Sequence, residues 1–265
     1  MLIDLFLDYL RAERNYSNLT IVGYGTDLRE FEAFFLGVDE EQKWETVDAD
    51  LIRQWIMQLM SMEKNGQGLQ PSSVNRKLSS LRSFYRFLLI RGYVKVNPVS
   101  KVKGPKRKKT LPFFLRESEM DKLLDGGMFD DDFQGCRDRM ILELFYSTGV
   151  RLSELIGLDD VDVDFSASWI KVTGKRNKQR LIPFGDELRE AMLIYIKVRN
   201  ETLPMRLSNA FFVRKNGERM YPALVYNLVR KNLSKVTALK KRSPHVLRHT
   251  FATSMLNHSA ELESV

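Results

Sequence analysis

A single cysteine, Cys136, stands in the whole sequence, which excludes an internal disulfide. No second cysteine and no histidine lies near it at ligand spacing, so it reads as a buried structural thiol and a poor metal ligand. Long apolar runs are missing as well, and none is long enough to cross a bilayer. The opening stretch MLIDLFLDYLRAER carries Asp4 and Asp8 inside its apolar run, which argues against a secretory signal. These absences predict a cytoplasmic protein with no membrane partner. Repeats and low-complexity tracts are also lacking, while an apolar fraction of 43% suits a chain that folds around real cores. The acidic run FDDDF holds Asp130, Asp131 and Asp132, but consecutive carboxylates rarely converge on one ion, and a solvated loop is the better reading than a metal-dependent nuclease.

What is present in excess is positive charge. The formal net charge is +8 and the isoelectric point about 9.5, a balance that concentrates anionic partners. Its distribution says more than its size. KVKGPKRKKTLP packs Lys101, Lys103, Lys106, Arg107, Lys108 and Lys109 around Gly104, Pro105 and Pro112 without one acid between Lys101 and Lys109. The segment reads as a basic linker over 101–111, suited to lie along a phosphate backbone.

Before this linker, over 1–100, the apolar period is helical throughout. Leu2, Leu5, Phe6, Tyr9 and Leu10 mark a first helix, and after the cap Ser17 the residues Leu28, Phe31, Phe34 and Phe35 mark a second. A third starts near Asp48, carries Leu51, Ile52, Trp55, Ile56 and Leu59, and is broken by Gly66 and Gly68. A fourth follows Pro71 with Val74, Leu78, Leu81, Tyr85 and Leu88 and stops at Gly92. Its opposite side holds Arg76, Lys77, Arg82 and Arg86, which either lie against DNA phosphates or face water.

Over 112–265 the pattern becomes mixed. RESEMDKLLD and CRDRMILELFYSTG are helical, and SWIKVTGKRNKQRLIPF alternates about a basic turn, as a hairpin with strands near Trp169 to Val172 and Arg180 to Pro183. Helices resume in DELREAMLIYIKVRN and PALVYNLVRKNLSKV, with a short strand AFFV between them. The expected fold class is mainly α: a four-helix amino-terminal domain and a mainly helical second domain with a small antiparallel sheet.

Chemistry enters with SPHVLRHTFATSMLN. Ser243 suits an N-cap and Pro244 the first helical position, which places His245 in the first turn with Arg248 three residues on along the same face. STGVRLSEL sets Arg151 just past Gly149, with Ser153 a candidate cap and Glu154 positioned to hold the Arg151 fork. Two guanidinium groups on one phosphate would match its geometry and stabilise a pentacoordinate transition state. Lys175, in the turn TGKRNKQ, is placed to give a proton to a departing sugar oxygen, with Lys178 the runner-up.

TGVRLSELIGL, VTGKRNKQRLIPF and SPHVLRHTFATSMLN together resemble the first arginine box, the lysine hairpin and the HxxR box of the tyrosine site-specific recombinases, with closest likeness to Xer-type and phage-integrase-like members. The resemblance extends over nearly the whole chain and implies a SAM-like core-binding domain followed by a recombinase catalytic domain. It implies that Arg151 and Arg248 clamp the scissile phosphate of duplex DNA, that Lys175 is general acid toward the leaving 5′ oxygen, that His245 assists on the nucleophile side, and that Glu154 supports them. No metal or nucleotide is needed, because a tyrosine stores the phosphodiester energy as a 3′-phosphotyrosyl link. No cofactor is therefore expected.

One departure qualifies that expectation. The family pattern continues past the HxxR helix with a further histidine or tryptophan box, the nucleophilic tyrosine and a terminal helix, whereas here the last tyrosine is Tyr226, ahead of the HxxR box, and His258 follows that box too closely to serve as the missing histidine. The sequence is thus expected to be a carboxy-terminally truncated recombinase that binds duplex DNA, forms no covalent link and is monomeric in solution, while the complete protein would be a tetramer on DNA with exchange of its terminal helix. The alternative is a DNA-binding protein that uses the same clamp only to grip.

Overall fold

The structure, a computed structural model, describes residues 2–61, 68–106, 113–125, 127–174 and 177–257. The chain divides into two compact units, Met1–Thr110 and Leu111–Val265, each with its own hydrophobic core.

The first unit is built from α1 (Leu2–Ala12), α2 (Asn18–Val38), α3 (Ala49–Ser61) and α4 (Pro71–Ile90). In α1 the buried line is Ile3, Phe6 and Leu10. Leu2 and Tyr9 flank it, but Leu5, expected on the stripe, is 49% exposed, since it lies a third of a turn off that line. Ser17 caps α2 by accepting from the Thr20 N–H, and Asp48 accepts from the Leu51 N–H at the start of α3, so each helix begins where a side chain can satisfy an orphan donor. Phe31 and Phe35 of α2, Trp55 of α3 and Phe84 of α4 converge with Trp44 from the α2–α3 connection; the Trp44 ring centroid lies 5.0 Å from that of Phe35 and 4.7 Å from that of Phe84. The Tyr85 hydroxyl donates to the Trp44 carbonyl at 2.9 Å, so this buried phenol is satisfied. Gly92, at φ 75°, follows α4 in the left-handed conformation that glycine adopts without strain. Gly66, Arg107, Lys108, Lys109 and Pro112 lie outside the described residues.

The second unit contains α5 (Glu117–Leu124), α6 (Phe133–Thr148), α7 (Leu152–Gly157), strands β1 (Val163–Asp164), β2 (Trp169–Thr173) and β3 (Gln179–Pro183), then α8 (Asp186–Thr202), α9 (Pro222–Val236) and α10 (Pro244–Asn257). The strands form one antiparallel sheet in the order β1-β2-β3, with Ile170 opposite Ile182 and Val172 opposite Arg180. The expected hairpin is present, and β1, two residues long, adds an edge that carries too little pattern to read from sequence. AFFV is no strand: Ala210 and Val213 make isolated bridges to Asp159 and Arg219, and all four residues of the stretch are buried, so apolar content here marks core and not a ladder. Asp132 caps α6 by accepting from the Gly135 N–H at 2.8 Å, which gives the acidic run a local role. Cys136 is half-buried in α6, and burial pushes its thiol up, away from the reactive thiolate. Among the described residues no group of three His, Cys, Asp or Glu is placed to hold a metal ion, and no helix is long and apolar enough to cross a membrane.

Candidate active site

The site begins where α6 ends. Gly149 stops that helix at φ 58°, and a Cβ at this position would run into the Phe251 ring of α10, so the glycine is required both by its dihedral and by the packing of α10 across the turn. The Gly149 carbonyl accepts from the Arg248 guanidinium. One α10 side chain is thereby anchored to the α6–α7 turn, 99 residues away in sequence.

Two residues past Gly149, Arg151 caps α7, and its backbone N–H donates to Glu154 Oε2 at 2.8 Å. Ser153, a candidate cap in the sequence, lies within α7 instead; the orphan N–H at the helix start is met by Glu154. Arg151 Nη1 donates to Glu154 Oε1 at 2.9 Å. The two-pronged contact belongs to a different arginine: Arg180, on β3, donates through Nη1 to Oε1 at 2.6 Å and through Nη2 to Oε2 at 2.9 Å. The Glu154 side chain is 0% exposed, while those of Arg151 and Arg180 are 49% and 38% exposed, so the carboxylate is sealed and the guanidinium groups are open on one side. Burial by itself would raise the Glu154 pKa, but the hydrogen bonds from Arg180 and Arg151 outweigh it and hold the group at about 2.

Arg248 completes the cluster. Its pKa is lowered, first by burial and then by the charges of Arg151 and Arg180. Two guanidinium groups share one carboxylate while Arg248 is held by a backbone carbonyl, and the surplus positive charge is what a phosphodiester needs on binding and needs more as its transition state gains charge. His245 sits exposed in the first turn of α10, three residues before Arg248. Of the site residues read from the sequence, the structure joins Arg151 to Glu154 and Arg248 to the Gly149 carbonyl. Sequence reasoning missed Arg180, whose only signal was that strand alternation sets it on the hairpin opposite Val172.

Lys175 lies outside the described residues. The β2–β3 hairpin closes by a Gly174 N–H to Lys178 carbonyl bond at 2.7 Å, and Lys178 itself is exposed. A Cβ on Gly174 would sit 3.1 Å from Glu154 Oε1, so the hairpin lies directly against the carboxylate.

The basic face of α4 needs one correction. Lys77 does not face outward: it is buried and donates to Asp27 at 3.3 Å and to Glu30 at 2.5 Å. Helical spacing turns it toward α2, where the buried carboxylate of Asp27 demands a cation. Arg76 also grips Asp27, with both of its terminal nitrogens, yet its side chain stays 55% exposed. Arg82 and Arg86 are exposed, Arg82 donating to the Val102 carbonyl at 3.0 Å, and Lys106 is exposed in the connecting segment.

Residues 114–265 match the phage integrase family, and residues 3–92 match the N-terminal SAM-like domain of phage integrases. The chain belongs to the phage integrase family, the tyrosine-type site-specific recombinases. It is 38% identical over 280 residues to the tyrosine recombinase XerC of Chlorobaculum tepidum, covering 98% of this chain and 83% of that protein. It is 39% identical over 266 residues to the tyrosine recombinase XerC of Azotobacter vinelandii, covering 99% and 85%. Among solved structures, the Tn1549 transposon integrase in complex with circular intermediate DNA matches with a TM-score of 0.74 at 24% identity, over 99% of this chain and 89% of that one, a likeness of fold.

Proposed function

We propose that the chain carries the phosphate clamp of a DNA recombinase that cleaves and rejoins strands through a 3′-phosphotyrosyl intermediate. The observation that supports this most is the pairing of Arg151 and Arg180 with the buried carboxylate of Glu154, beside the Gly149 turn to which Arg248 is anchored. In this reading Arg151 and Arg248 hold the non-bridging oxygens of the scissile phosphate and take up the charge of the pentacoordinate transition state. A tyrosine hydroxyl attacks phosphorus and gives up its proton toward His245, while Lys175 protonates the 5′ oxygen as its bond to phosphorus breaks. The ester energy is kept in the phosphotyrosyl bond, so rejoining needs no cofactor. Duplex DNA is the partner, held through Arg76, Arg82, Arg86, Lys106 and the bases at 107–109, in the cytoplasm.

The last tyrosine among these 265 residues is Tyr226, in α9 ahead of the HxxR box. In this reading these 265 residues bind DNA and, having no tyrosine after the HxxR box, form no covalent adduct. A suicide substrate that traps the phosphotyrosyl link tests the proposal. The 265 residues should shift the DNA and leave none attached after denaturation. With a carboxy-terminal segment that supplies the missing box and tyrosine, an adduct should appear, and Arg248→Ala should abolish it. An adduct from the present residues would falsify the assignment of the nucleophile, and inactivity of the extended protein on its proper site would favour a DNA-binding protein that uses the clamp only to grip.

A further inference from the structure

We propose that Arg180 is a positioning residue of the clamp: by sharing the buried Glu154 carboxylate with Arg151, it keeps Arg151 free to bind phosphate and ties the lysine hairpin to the clamp. The inference deepens the proposed reading and rests on it. Glu154 has two oxygens, and Arg180 occupies both, at 2.6 and 2.9 Å, leaving Arg151 one side-chain contact through Nη1. A guanidinium beside a sealed, unshared carboxylate would close onto it with both prongs, because the two-pronged pair is the stronger one. Arg180 takes that place first. The Arg151 guanidinium, half exposed, keeps its remaining N–H groups for a ligand.

The same contact fixes the hairpin. Arg180 is paired with Val172 across β2 and β3, and Gly174 and Lys178 close the hairpin two steps further on. The absence of a side chain at Gly174 lets this turn approach Glu154 Oε1. Among the described residues, Arg151 from the start of α7 and Arg180 from β3 pair with Glu154, while Arg248 from α10 is held by the Gly149 carbonyl. Removing Arg180 leaves Arg151 as the one cation paired with Glu154 among the described residues and releases it to pair fully with the carboxylate.

The test uses the 265-residue chain labelled with nitrogen-15 and titrated with inorganic phosphate, reading the side-chain Nε–Hε signals of Arg151 and Arg248. Wild type should show both signals moving together in one saturable binding event. Arg180→Ala should weaken that event at least tenfold, with the Arg151 signal displaced before any phosphate is added. Arg180→Lys should rescue only in part, since an ammonium cannot span both oxygens. Arg180→Ala combined with Glu154→Gln should regain affinity over Arg180→Ala alone, because the neutral amide no longer captures Arg151. A merely structural role predicts the opposite, a double variant at least as weak as the single one, and that result overturns the inference. Equal phosphate affinity in wild type and Arg180→Ala overturns it too. If the wild-type signals ignore phosphate while the fold is intact, the clamp reading itself fails.

Discussion

Among the described residues each unit buries one carboxylate and pairs it with cations, and the two arrangements differ in their arithmetic. In the amino-terminal unit Asp27, 1% exposed, is held by Arg76, Lys77 and the Ser80 hydroxyl, and Lys77 turns also to Glu30, so two acids meet two bases. In the second unit one acid, Glu154, meets two bases, Arg151 and Arg180, while Arg248 is anchored to the Gly149 carbonyl and, among the described residues, has no acid of its own. The first cluster is balanced and ties α2 to α4, as a pair that must survive burial requires. The second retains charge that the fold does not consume. A surplus of like charge costs stability where it stands, and such a cost is expected at a site built for an anion. The comparison teaches that burial of an acid among arginines is not in itself a sign of function; the unspent charge is.

The largest effect should come from breaking the balanced cluster. Asp27→Ala leaves Lys77 buried with only the half-exposed Glu30 and leaves Arg76 without its partner. Loss of one member of a buried pair costs about 3 to 5 kcal/mol, and urea unfolding followed by circular dichroism should show the amino-terminal unit losing that much while the second unit melts as before.

Glu154→Gln comes next, and pH distinguishes it. The group is held at about 2 in the folded protein against an ordinary 4.5. Its contribution is therefore fully present above the ordinary value and is lost as pH falls through the folded one. A depression of this size corresponds to roughly 3 kcal/mol at neutral pH. Denaturant midpoints measured at several pH values should show Glu154→Gln less stable than wild type at pH 7, with the gap closing between about pH 4.5 and 2. A gap that stays constant over that range would mean that the carboxylate charge contributes nothing.

Gly149→Ala attacks the third cation by way of its anchor. The substitution forces a side chain into φ 58° and into the Phe251 ring, so α10 must shift and carry Arg248 with it. A strain of about 1 to 3 kcal/mol is expected. Phosphate response should fall more than the stability loss alone accounts for, since the Gly149 carbonyl that orients Arg248 moves too.

Much of this was legible in the sequence, and what was not shares one cause. The four stripes of the amino-terminal unit, the Ser17 cap, the Gly149 stop and the β2–β3 hairpin are local signals, set by periods of 3.6 and 2 and by single residues at chain turns. Arg151, Glu154, His245 and Arg248 stand in short motifs, so their types and spacing pointed to phosphate chemistry. The partnerships were hidden. Lys77 looked like one more cation on a basic helix face, yet Asp27, 50 residues earlier, draws it inward. Arg180 looked like the first residue of a hairpin strand beside a basic turn, yet Glu154, 26 residues earlier, claims it. Trp44 lay in a connection with no period at all, and only the convergence of Phe31, Phe35 and Phe84 makes it core. Charge pairing and ring packing over such separations leave no mark on neighbouring residues.

The smallest stability effect, and the sharpest separation of the two kinds of cation, should come from Arg86. It is exposed on α4, on the helix where Lys77 is buried. Replacing an exposed residue away from caps and pairs shifts stability by no more than about 0.5 kcal/mol, so Arg86→Gln should unfold as wild type does. If Arg86 lies against duplex DNA, however, each phosphate that the protein ceases to neutralise lowers the slope of log affinity against log salt by about 0.9. Fluorescence anisotropy with a labelled duplex, titrated across salt concentrations, should show weaker binding at low salt, convergence with wild type at high salt and a slope smaller by about one. An unchanged slope would place Arg86 off the DNA and confine the amino-terminal contacts to Arg76, Arg82 and the connecting segment.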